Sequence, residues 1–142
     1  MKTALALLFT VGILSAQEVA PPAETVTTRS RALELAGAFA NDGYKIRDGF
    51  WSGTLEPGKP QFLQVNLFAG NEYWFSVASL VPTAKLSVGV FDESGLPVQG
   101  EVFQDGATAA AGVIADASGK YFIRLEVAEG DKAEFCLVYS YK

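Results

Sequence analysis

The side chains here whose types could do chemistry are two tryptophans, a tyrosine and a spread of carboxylates. Trp51 and Trp74, with Tyr44 upstream, offer flat apolar faces able to stack on sugar rings or on a partner peptide. Asp92, Glu93, Glu101, Asp105 and Asp116 fall near predicted turns. Gathered at one end of a domain they would offer oxygens to calcium, which takes about six to eight. No loop has the dense Asp-x-Asp-x-Asp-Gly spacing of a dedicated site, so neither calcium nor any other cofactor or metal is expected. Two facing acids about 5 to 10 Å apart would suit glycoside hydrolysis. Linear spacing sets up no such pair, and a chain with 16 Asp and Glu contains many chance ones.

Composition removes most other catalysis. The chain has no histidine, which excludes imidazole bases, Ser-His-Asp and Cys-His arrangements and ordinary zinc sites. No Ser-x-x-Lys occurs, and no glycine-rich phosphate cradle stands in a strand–helix context. Eleven Lys and Arg against 16 Asp and Glu give a net charge of −5, a poor match to nucleic-acid phosphates. Cys136, the single cysteine, lies in a strand-like run (Phe135-Cys136-Leu137-Val138) and reads as a small buried hydrophobe.

Residues 1–16 place this chemistry. Met1-Lys2, an apolar stretch over residues 3–14 and the small pair Ser15-Ala16 follow the order of a secretory signal peptide. Cleavage is expected after Ala16. Gln17 stands where a lipoprotein signal needs cysteine, so a periplasmic or extracellular protein without lipid anchor or membrane insertion is expected.

Residues 17–27, with Pro21-Pro22, read as a flexible lead-in to a single domain over 28–142. Thr27, Thr28 and Ser30 are candidate N-caps for a short helix over 28–42, with Leu35, Phe39 and the neighbouring Leu33, Ala36 and Ala40 on its apolar stripe. Beyond Gly43 the apolar period falls to two. Leu63, Val65 and Leu67 alternate with polar neighbours, as do Tyr73, Phe75 and Val77, then Leu86, Val88 and Val90, then Tyr121, Ile123, Leu125 and Val127. About eight short strands separated by glycine-rich turns predict an all-β fold, an antiparallel β-sandwich of jelly-roll type preceded by one short N-terminal helix. Residues 108–114 (TAAAGVI) are read as an edge strand.

In this pattern Trp74 is out of phase with Tyr73, Phe75 and Val77 and faces away from the core. Trp51 shares phase with Lys45 and Arg47 and is expected on the same outer side. Either the two rings form an exposed platform, or the helix lies over them with Leu35 and Phe39.

Gly53-Thr54-Leu55 with Pro57-Gly58, Leu63-Gln64-Val65-Asn66-Leu67 and Ala69-Gly70-Asn71-Glu72-Tyr73 resemble the opening of bacterial pre-peptidase C-terminal (PPC-like) domains. Leu86-Ser87-Val88-Gly89-Val90 before Asp92-Glu93-Ser94-Gly95, and Ser118-Gly119-Lys120-Tyr121-Phe122-Ile123, continue the resemblance to about residue 142. It implies a jelly-roll accessory module of exported proteins without catalytic activity. The expected role is therefore structural or binding, with an exported enzyme, a glycan or another protein as partner. A carbohydrate-binding module using Trp51, Trp74 and Tyr44 is the first alternative, and a small carboxylate-dependent hydrolase the second. Oligomeric state is left open.

Overall fold

The computed structural model describes residues 23–38 and 42–142. The expected signal peptide, Phe39 and Ala40 lie outside the described residues.

Helix α1 spans Ala23–Gly37, earlier at both ends than the expected 28–42. A proline penalises the residue before it and the preceding turn, whereas the residues after it are free to be helical. Pro21-Pro22 therefore does not hold back Ala23. At the other end Gly37, a weak helix former, ends the helix, and Ala38 N–H donates to the Leu35 carbonyl at 3.2 Å.

Nine strands follow: β1 (Lys45–Ile46), β2 (Trp51–Leu55), β3 (Gln61–Leu67), β4 (Glu72–Ala78), β5 (Lys85–Asp92), β6 (Gly100–Asp105), β7 (Thr108–Ile114), β8 (Gly119–Glu129) and β9 (Ala133–Tyr141). All pairings are antiparallel. One sheet runs β1-β9-β4-β7-β6, with β2 also on β9, and the other runs β3-β8-β5. The fold is an all-β sandwich, as the period of two requires, with one helix among the described residues. The stretch read as one region over 44–55 divides into β1 and β2. Ile46 pairs with Ser140 and Trp51 with Leu137, so residues 47–50 stand opposite only Val138 and Tyr139. Gly49, at φ 95°, takes up the surplus length of this bulge.

The core is where the alternating apolar residues of the two sheets meet. Phe75, Val77 and Leu137 from the wide sheet pack with Leu86, Ile123 and Leu125 from the narrow one, all fully buried. Burial of each such side chain stabilises the fold by about 1.5–3 kcal/mol.

The two sheets differ in width, and this has consequences on both faces of the wider one. On its core face the margins overhang. Val102 in β6 pairs with core residue Ala111, yet is 71% exposed because no strand lies across from it. On its outer face α1 covers the centre, Ala32 and Ala36 packing on Ala78, Cys136 and Val138 with Leu33 alongside. Ala36 and Leu33 belong to the expected apolar stripe, and Ala32 rather than Leu35 completes the contact, because small residues let the helix backbone approach the sheet. Strand β7 is not an edge. It lies between β4 and β6, and residues 109–113 are all buried. Its alanines, poor strand formers in isolation, mark a strand covered on both faces; the edge is β6.

Candidate functional site

Trp74 lies on the outer face of the wide sheet, in register with Ser140 of β9 and Gly112 of β7, and Gly112 pairs in turn with Glu101 of β6. The indole lies across this row. A Cβ at Gly112 would sit 2.6 Å from its ring, so only glycine lets the ring lie over β7. Thus seated, Trp74 is 8% exposed.

The indole lies close to the Tyr44 hydroxyl, which donates to Glu72 Oε2 at 2.7 Å. Lys142 completes the group: its Nζ lies 3.4 Å from Glu72 Oε2 and 4.5 Å from the centroid of the Tyr44 ring. It also donates to the Asp42 carbonyl at 3.1 Å. Partial burial, then the hydrogen bond to Glu72 and its charge, push the Tyr44 hydroxyl up to about 12. The Tyr44 hydrogen bond, with help from Lys142, holds Glu72 below the usual carboxylate range. At neutral pH Tyr44 is therefore a fixed donor and Glu72 a fixed anion.

Tyr44, Glu72 and Trp74 of this group form one wall of a groove of about 690 Å³ where β6 leaves β7. Glu72, Asp92, Glu101 and Asp116 line it together with Tyr44, Trp74, Tyr121 and the apolar Pro97, Val98 and Ile114, and among the described residues no Lys or Arg does. Asp92 is occupied in its own turn, accepting from Ser94 N–H at 2.9 Å and Leu96 N–H at 3.0 Å through Oδ1. Tyr121 donates to the Ala117 carbonyl at 2.6 Å. The groove thus has rigid aromatic walls and a negative rim, suited to a cationic or hydrogen-bond-donating ligand.

The structure separates the two tryptophans. Trp51 pairs with Leu137 on the core face and stacks on Tyr139, ring centroids 5.6 Å apart. The expectation that it faces outward on the side of Trp74 is corrected. Its phase with Lys45 and Arg47 holds, but that phase is the core side. Beyond the narrow sheet this side is open to water, and Arg47 sits there with its guanidinium 5.6 Å from the Tyr139 ring centroid. Charge therefore marks the overhang and not the outer face. Tyr44 and Trp74 meet; Trp51 belongs to neither the platform nor the surface under α1.

Chemistry beyond binding finds little support. Among the described residues no three acids or cysteines are grouped to hold a metal. Glu93 and Asp105 do not line the groove. A general acid needs a raised pKa, and Glu72 is shifted the other way. Cys136 is fully buried, and burial pushes its thiol up to about 11, which removes it as a nucleophile at neutral pH. Sequence reasoning missed Glu72, Lys142 and Gly112 as members of the group. An isolated glycine inside an apolar strand is a signal from which Gly112 could have been found; nothing linear links residues 44, 72 and 142.

No protein-family model matches the chain, and no curated protein sequence does. Among solved structures, the chain is similar to Aeromonas hydrophila PliG, a periplasmic lysozyme inhibitor of g-type lysozyme. The two share 17% identity over 66% of this chain and 85% of that one, with a TM-score of 0.48.

Proposed function

We propose that this protein is an exported, noncatalytic β-sandwich module that binds a partner at the Trp74–Glu101 groove. The observation that carries the reading is the group of Trp74 and Glu72 on β4, Tyr44 just before β1 and Lys142 just after β9, which sets Tyr44, Glu72 and Trp74 into the wall of an acidic groove. Such a wall is ordered before any ligand arrives, which lowers the entropic cost of binding. Export rests on the charged, apolar and small-residue order of residues 1–16, and the module reading agrees with the resemblance to PPC-like domains. A two-tryptophan sugar platform has lost its geometry, since the rings lie on opposite faces of one sheet and Trp74 is largely covered.

The test is a ligand panel of oligosaccharides, calcium and short peptides against the whole protein, followed by NMR of the Trp74 indole N–H. The expected result is a ligand that shifts this resonance, is lost in Glu101→Gln, and is not turned over. Hydrolysis of a glycoside that disappears in Glu72→Gln would overturn the noncatalytic reading. Mass spectrometry of the exported protein should find Gln17 as its first residue.

A further inference from the structure

Strand β6 is the margin of the wide sheet, with β7 on one side and no strand among the described residues on the other. All six of its residues are exposed, and its register with β7 is unbroken from Gly100 to Asp105. A strand in this position presents a row of backbone N–H and C=O groups along its free side. Of the usual protections β6 carries only two acidic side chains, Glu101 and Asp105, and has no lysine, no proline and no bulge. It presents apolar side chains to both faces, Val102 at 71% exposure toward the core side and Phe103 at 39% toward the outer side.

Charge decides what can pair there. Glu101 and Asp105 stand on the outer face of β6, and its first residues run into the groove rimmed by Glu72, Asp92 and Asp116. A second copy docking edge to edge would bring two acidic strands together, and like charges on paired strands destabilise. An incoming strand with Lys or Arg on one face and aliphatic residues on the other meets the opposite situation. Its cations lie over Glu101 and Asp105, and its apolar side chains extend the uncovered surface at Val102.

We infer that β6 is a docking edge for an extended, basic peptide segment of a partner protein, which adds a strand to the wide sheet and places a cationic side chain in the adjoining groove. This rests on the binding-module reading above and names its partner class. Main-chain hydrogen bonds supply the affinity, and the acidic side chains the selection.

The probe is a synthetic peptide alternating Lys and Val, compared with a Glu–Val peptide and with a Lys–Val peptide N-methylated at alternate residues. Hydrogen exchange of the β6 amides and the Trp74 indole resonance are followed in the whole protein. The expected result is that the Lys–Val peptide alone slows exchange of outward-pointing β6 amides by about tenfold or more. Methylation abolishes this, and the exposed pair Glu101→Lys with Asp105→Lys weakens it by about tenfold or more. Binding that survives methylation, with shifts confined to Trp74 and Tyr44, overturns strand addition but leaves the groove as a binding site. Protection of β6 that grows with protein concentration without peptide also overturns the inference, since the occupant is then a second copy. Absence of binding by every peptide overturns it too, while a ligand found in the wider panel keeps the module reading.

Discussion

The centre and the margin of the wide sheet are built on the same pleat, yet they have opposite surroundings. At the centre, β4 and β9 carry small residues outward, Ser76, Ala78, Cys136, Val138 and Ser140, all buried. The helix rests on part of this floor through Ala32 and Ala36. The Ser76 and Ser140 hydroxyls are buried there without a hydrogen-bond partner among the described residues. At the margin, β6 has apolar side chains of ordinary size and all of its residues are exposed, although Gln104 reaches across to donate to the Leu86 carbonyl of β5 at 3.1 Å. Coverage, and not the residue pattern of the strand itself, therefore separates the buried floor from the exposed margin. The Trp74 group lies on the boundary between the two.

Leu137→Ala at the centre should have the largest effect. The side chain is fully buried, so the cavity costs about 2–5 kcal/mol, read as a lower denaturation midpoint. A loss below about 1 kcal/mol would mean that the centre is less tightly packed than described. Gly112→Ala, on the boundary, forces a methyl group against the indole of Trp74. Overpacking of this kind costs about 1–3 kcal/mol, and red-shifted tryptophan emission should accompany it as the ring is displaced toward water. Unchanged emission would show that the ring does not lie over β7.

Tyr44→Phe sharpens the boundary through its pH behaviour. The raised Tyr44 pKa means that its contribution to stability is complete below the unfolded value near 10 and is lost as pH climbs through about 12. Glu72, held low, contributes above its unfolded value and loses that contribution as pH falls through its folded one. Phenolate absorbance should therefore include a tyrosine titrating near 12 that Tyr44→Phe removes. In the same variant the Glu72 carboxyl, followed by NMR, should titrate at higher pH. Val102→Ala at the margin comes last, with an expected stability change within about 0.5 kcal/mol. A larger loss would mean that something covers β6 in solution, which bears directly on its role as a docking edge.

Much of the architecture was legible in the residues. Leu63-x-Val65-x-Leu67 and Leu86-x-Val88-x-Val90 alternate because each strand has one dry face, and Trp74 falls out of phase with Tyr73 and Phe75 for the same reason. The readings that needed correction rest on local signals: charge at residues 45 and 47 points to an outer face, and the place of residues 108–114 between turn signals points to an edge. Lys45 and Arg47 instead sit on an overhanging core face, and the alanines of β7 are small because both of their faces are covered. The helix end at Gly37 had a local signal, a weak helix former, that its apolar neighbours masked.

The order of residues by itself determined which segments are strands, where most turns fall, and that a histidine-free chain would not do imidazole chemistry. These follow from local physics: backbone preference, alternation of side chains across a pleat, and the pKa of each residue type. Only the tertiary structure decided which side of the sheet Trp51 occupies, that Tyr44, Glu72 and Lys142 meet, and that β6 and not β7 is the open edge. Those outcomes depend on the unequal widths of two sheets, a property of how distant strands pair that no neighbouring residue encodes.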